Sequence, residues 1–194
     1  MALTKVIGAG LGTVTEDQVF GGATPTVTIG DAGAEDAKIV FDGNAQDFHI
    51  GLDDSLDSLT IGLGSALGTT THMKIDSSGA INKPLQPAFM ARPASVQSGM
   101  SSGTTLAFAT EIFDQNADFA SPNFTAPVTG RYHISYTLYF EDVRADITAF
   151  YVTTVLSNRD IYTILDPQAY DQTVTNLSLN FSLLVDMDAN DTAK

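Results

Sequence analysis

Apolar and polar positions alternate along this chain in short bursts, and no stretch carries a convincing helical period. From Thr26 to Asn82 the bursts are Thr26–Asp31, Lys38–Gly43, Asp47–Asp53, Ser58–Gly64 and His72–Asp76, each cut by Gly, Asp, Asn or Ser. A short run of β-branched and aromatic residues bounded by turn formers predicts a strand. The anchors Ile29, Phe41, Ile50, Ile61 and Ile75 stand 12, 9, 11 and 14 residues apart. That spacing predicts an imperfect repeat of one short strand plus one turn. Each unit offers one or two side chains to bury, too few to offset an ordering entropy of roughly 1–2 kcal/mol per residue. Stacking on neighbours, or winding three chains about one axis, supplies the missing contacts. Residues 25–82 therefore read as a β-rich trimeric shaft.

The second half alternates more strictly. After the turn Ala126–Gly130, residues Tyr132, Ile134, Tyr136, Leu138 and Phe140 are apolar at every second position, the period of a strand with one buried face. His133 and Tyr139 fall on the opposite face. Ala149–Leu156 predicts a buried strand, Asn158–Asp160 a turn, and Ile161–Leu165 the return. Thr173–Val185 alternates again through Val174, Leu177, Leu179, Phe181, Leu183 and Val185. Phe89–Arg92 opens this region. Before it, Pro84 and Pro87 predict a semi-rigid extended connector at 83–88. Residues 1–24 are apolar, small and Gly-rich, which suits an extended attachment arm or a disordered leader. The chain divides into arm (1–24), shaft (25–82), linker (83–88) and head (89–194), all of it β.

Within the head, Phe108, Asp114, Phe119, Phe124, Gly130, Tyr132, Ile134 and Tyr136 form a spaced ladder. Five residues separate Phe108 from Asp114, four separate Asp114 from Phe119, and five separate Phe124 from Gly130. The ladder resembles the signature of the globular head of complement component 1q, a jelly roll shared with the tumour necrosis factor family. Two positions depart from that pattern. The gap between Phe119 and Phe124 is shorter, and Ile134 stands where Phe is usual. The resemblance covers 29 residues and implies an antiparallel jelly roll and a compact homotrimer. It also implies two more strands after the Asp186–Asp191 turn, either absent, supplied by another chain, or lying past Lys194. The segment Ile75–Ile81 is similar to repeats of bacteriophage fibre shafts.

Charge narrows the partners. With 23 acidic and 9 basic residues the formal net charge is −14, which opposes nucleic acid, whose binding depends on Lys and Arg neutralising phosphates. It also opposes anionic membranes. No apolar run approaches the roughly 20 residues that span a bilayer, so no membrane insertion is expected. The opening residues are too short and too weakly apolar for a signal peptide, which points to assembly in a host cytoplasm. With no Cys there is no disulfide framework and no thiolate metal site, and a bacterial or viral source is favoured. The acidic surface serves solubility or holds divalent cations.

Candidate chemistry is sparse. The three histidines, His49, His72 and His133, accompany no Gly-x-Ser-x-Gly elbow, so no hydrolase triad is expected. Asp53, Asp54 and Asp57 are either solvated turn residues or the carboxylates of a glycosidase. Asp186, Asp188, Asn190 and Asp191 place oxygens as at the start of a Ca2+ loop, without the Gly and Glu that complete one. Turn chemistry accounts for them equally. Asp31, Glu35 and Asp36, or Asp42, Asp53 and Asp54, could hold cations if three chains bring them together. Tyr132, Tyr136 and Phe140 read as core, whereas Tyr139 and Arg144 read as exposed groups able to meet a neighbour or a glycan.

The expectation is a non-enzymatic, structural and adhesive virion protein without a cofactor, unless Ca2+ is bound. It is a homotrimeric phage tail fibre or appendage, docked to other virion proteins through its arm and binding a host-surface glycan or protein with its head. Alternatives are a capsid head fibre or decoration protein, a bacterial trimeric binding module, and a polysaccharide depolymerase.

Overall fold

The structure, a computed structural model, describes residue 15 and residues 17–194. Most of the predicted arm lies outside the described residues. From residue 17 to residue 36 the chain is exposed and carries no strand. The predicted unit Thr26–Asp31 is therefore not a strand. Its composition favours extended backbone, but a strand also needs a neighbour to accept its ladder hydrogen bonds, and none lies alongside.

The described chain is all-β, with fourteen strands and two single 3-10 turns, at Asp54–Leu56 and Pro167–Ala169. It divides into two units. One runs to Thr70 and includes Ile75–Ala80, and the other comprises Thr71–Lys74 and Ile81–Lys194. The division falls two residues before the boundary expected from the prolines.

In the first unit β1 (Ala37–Phe41), β2 (Phe48–Asp53) and β3 (Ser58–Leu63) form an antiparallel meander. The β2–β3 turn is built by Asp53, whose Oδ1 accepts from Ser55 Oγ at 2.7 Å and from Leu56 N at 3.2 Å. Asp57 closes the turn in the left-handed region, at φ 46°. Asp53 is thus a buried capping residue, 3% exposed, and not a solvated turn carboxylate. Between β4 (Thr71–Ile75) and β5 (Ile81–Asn82) the chain folds into an Asx turn. There Asp76 Oδ1 accepts from Ser78 N, Ser78 Oγ and Ala80 N at 2.6–3.0 Å, and Gly79 takes φ 85°.

The second unit is built from antiparallel pairs. β6 (Phe89–Arg92) pairs with β7 (Thr110–Asp114), and β8 (Phe119–Ala120) with β9 (Asn123–Thr125). β10 (Gly130–Val143) pairs along its length with β13 (Val174–Met187), and β11 (Phe150–Val155) with β12 (Asp160–Leu165). β14 (Thr192–Ala193) returns to β9. The expected extended connector is instead a turn: Gln86 N donates to Lys83 O at 3.0 Å, with Pro84 at the position its fixed φ favours. Gln115 Nε2 clamps it by donating to Lys83 O and Gln86 O at 3.0 and 2.6 Å.

The core of this unit gathers Phe119, Phe124, Ala126, Leu156, Val185, Met187 and Ala193, with Phe89, Phe108, Tyr132 and Ile134 packed against it. Phe89 stacks on Phe119 at 4.5 Å and on Phe124 at 5.3 Å, and Tyr132 tilts onto Phe124. Burying each such ring contributes about 1.5–3 kcal/mol. Along β10–β13 the inner rows are Tyr132–Val185, Ile134–Leu183, Tyr136–Phe181, Leu138–Leu179 and Phe140–Leu177. Every pair is apolar, as the period of two requires.

Candidate functional site

The meander of the first unit has two unlike faces. Its pairing lines up three rows on one side: Phe41–Phe48–Leu63, Ile39–Ile50–Ile61 and Ala37–Leu52–Leu59. All nine residues are apolar and none is ionisable. Yet Ile39, Phe41, Phe48, Leu52 and Leu59 are 42–61% exposed. On β2 and β3 the opposite side carries His49, Gly51, Asp53, Ser58, Thr60 and Gly62, every one of them buried, and β1 adds half-buried Val40 and exposed Lys38 at its edge. The ordinary arrangement, apolar in and polar out, is reversed. The anchors Phe41, Ile50 and Ile61 all lie on this open side.

The reversal has a local cause. The loop after β3 folds over the polar side, and a backbone cover needs hydrogen-bond partners and close approach. His49 Nδ1–H donates to Gly64 O at 2.8 Å, Gly64 N donates to Asp47 O at 2.8 Å, and Leu63 N donates to Thr70 O at 2.9 Å. A Cβ at Gly62 would meet Thr70 O and would stand 2.7 Å from the His49 ring. Asp53 Oδ2 lies 3.3 Å from where a Cβ of Gly68 would be. Polar residues are inside because the loop lies on them. His49 Nε2 and Ser58 Oγ are buried without a partner. His49 and Asp53 sit four residues apart on one strand face, roughly 13 Å at about 3.3 Å per residue, too far for a His–Asp dyad.

The acidic turn Asp186–Asp191 is held by its own hydrogen bonds. Asp186 pairs with Arg159, which holds its carboxyl below the ordinary carboxylate range. Asp188 N donates to Asp191 Oδ2 at 2.9 Å, and Asp188 Oδ1 accepts from Thr129 Oγ1 at 3.4 Å. Asn190 is left-handed at φ 73°, and its N–H donates to Ala126 O at 2.8 Å. The carboxylates of Asp186, Asp188 and Asp191 are thus engaged in hydrogen bonds that hold the turn between β13 and β14. Among the described residues no three or more His, Cys, Asp or Glu side chains come together in a metal-binding arrangement. Of the other acidic set, Asp31 and Glu35 share a side-chain hydrogen bond, which holds Asp31 below and Glu35 above their ordinary ranges.

Five of the eight ladder residues meet in one place. Phe108, Phe119, Phe124, Tyr132 and Ile134 converge on the core of the second unit. Asp114 ties β7 to β8, its Oδ1 accepting from Asp118 N at 3.2 Å and its Oδ2 from Phe119 N at 2.9 Å. Gly130 starts β10. Tyr136 stacks on Phe181 at 4.7 Å and shares a hydrogen bond with Thr154 Oγ1, while burial raises its phenol. On the outer side of β10–β13, His133 Nε2 meets Ser182 Oγ at 2.8 Å, Thr137 Oγ1 donates to Asn180 Oδ1 at 2.6 Å, and Tyr139 OH donates to Asn176. This outer face is a polar cross-strand ladder. Arg144 is exposed and paired with Asp146.

The sequence reading missed the apolar face as a surface and the polar set beneath it. A signal was present. Phe48–Asp53 and Ser58–Leu63 both alternate, and in both the alternate phase is entirely polar or glycine. No helix among the described residues is long and apolar enough to cross a membrane. Compared with family models, with curated proteins and with solved structures, the chain has no match in any of the three.

Proposed function

We propose that this chain is a structural and adhesive protein that works as a homotrimer, a fibre or appendage of a bacteriophage virion. In this reading the first unit is part of a shaft, and the second is a jelly-roll head that presents a binding surface to a host cell. One observation carries the reading. Among the described residues twenty-four large apolar or aromatic side chains are exposed, against ten buried hydrophobic residues. Single exposed apolar residues are ordinary, but contiguous exposed patches mark interaction surfaces. The head resemblance supports three copies, and the fibre-like Asx turn at Asp76–Ala80 supports a shaft. Three linked heads raise the effective concentration of weak sites, so attachment needs no covalent chemistry.

The test is the mass of the purified full chain by light scattering coupled to size exclusion, with and without a chelator. A mass of three chains, unchanged by the chelator, is the expected result. A mass of one chain at micromolar concentration overturns the proposal.

A further inference from the structure

We infer that the apolar face of the β1–β3 meander is where copies of this chain pack on one another. The inference rests on the oligomeric reading above and names the surface that makes it. The nine residues Phe41, Phe48, Leu63, Ile39, Ile50, Ile61, Ala37, Leu52 and Leu59 form three aligned rows on three adjacent strands. In a trimer three such faces turn inward on a common axis, each meeting its neighbours with side chains interdigitating as in packed sheets.

The size fits a specific contact. Five of the side chains are 42–61% exposed. At about 150–250 Å² for a large side chain, the open face presents about 500 Å² of apolar surface. Three such faces meeting at one axis together remove up to about 1,500 Å² from water, within the size range of specific interfaces. Charge selects the occupant. No member of the grid is ionisable, so a copy of this chain docks there without burying a charge, although each chain carries a net charge of −14. The acidic residues Asp36, Asp42, Asp47, Asp54 and Asp57 belong to the turns that flank the strands. They stay in water at the rim, repel their counterparts at low salt, and are screened at high salt. A basic partner would be drawn to that rim and would weaken with salt, the opposite dependence.

The reversal of the faces strengthens the argument. The polar side is already covered by the chain's own loop through Gly64 and Thr70, so the meander has one remaining face, and that face is uniformly apolar. A monomer gains nothing from a grid of this kind. An assembly gains a core.

The experiment uses the full chain and three proteins: wild type, Ile50→Lys combined with Leu59→Lys, and Ser95→Lys as a control in an exposed loop of the second unit. Sedimentation equilibrium is recorded at low and high sodium chloride. Wild type and the control are expected to assemble, more tightly at high salt, and the double variant to associate at least a hundredfold more weakly. Hydroxyl-radical footprinting of wild type provides a readout that needs no variant, with Phe41 and Phe48 protected in the assembly and reactive in dilute monomer. If wild type is a monomer at all concentrations, this inference and the oligomeric reading both fall. If wild type assembles while the double variant assembles equally well, or Phe41 and Phe48 stay reactive, only this face is wrong. An assembly that weakens as salt rises also overturns it. Should the double variant fail to fold, the footprint decides.

Discussion

Asp118 shows how one side chain can work against the fold that holds it. Its Oδ2 is buried without a partner, and its carboxyl is raised above the ordinary range, first by burial and then by the nearby charge of Asp114. A carboxyl raised on folding is more stable protonated, so its ionisation weakens the native state as pH climbs through the raised value. The Asp118→Asn variant is expected to be more stable than wild type at neutral pH, with the difference vanishing below the ordinary Asp range of about 3.9. Urea midpoints at a series of pH values check this, and equal midpoints at neutral pH would refute it. Gly62 makes the opposite case, a residue chosen for what it lacks. Its missing side chain leaves room for Thr70 O and the His49 ring, so Gly62→Ala forces the covering loop away. The expected loss is about 1–3 kcal/mol, as for other overpacked sites, measured by chemical denaturation.

At the scale of elements, alternation decides which neighbour in a strand matters. Leu183 and Leu184 are adjacent in β13, but Leu183 packs toward the core of the second unit whereas Leu184 is 71% exposed on the polar outer ladder. Leu183→Thr is expected to cost about 2–3 kcal/mol, because it removes packing and brings in a hydroxyl. Leu184→Thr should lie within about 0.5 kcal/mol of wild type. Comparing the two by thermal unfolding tests the register of the β10–β13 pair directly, since a slip of one residue would exchange the two results. The meander of the first unit obeys the same period of two with its faces exchanged. Its loop, lying on the polar side, decided the exchange.

For the whole molecule, the balance between covered and uncovered apolar surface governs behaviour in solution. A protein whose core is completed by association gains stability with its own concentration, because assembly favours the folded form by mass action. The midpoint of thermal unfolding is expected to rise when the protein concentration is raised tenfold, and to rise further with added salt, which screens the net charge of −14. Calorimetry at two concentrations and two salt levels checks both. A midpoint indifferent to concentration would mean that each chain is stable alone.

Much of this was legible in the residues. The all-β class followed from runs that alternate or end at Gly, Asp and Asn. Four of the five short units predicted between Thr26 and Asp76 are strands, and Phe89–Arg92, Tyr132–Phe140, Ala149–Leu156, Ile161–Leu165 and Thr173–Val185 all fall on strands to within a residue. These properties are local, since side-chain period and turn chemistry act within a few residues. The inward face of β10 was legible too, because polar residues occupy its other phase. Three things were not. Alternation tells that a strand has two unlike faces, but which one is covered depends on what folds over it. Only the loop from Gly64 to Thr70 placed His49, Asp53, Ser58 and Thr60 inside and left Ile39, Phe41 and Phe48 open. Pro84 reads as an extended connector until Gln115, far along the chain, clamps Lys83 and Gln86 into a turn. Thr26–Asp31 has the composition of a strand, but a strand is a pairing and it lacks a partner. Strand positions and turn residues are written in the chain. Partners and covering are contacts between distant residues, and tertiary structure alone decided them.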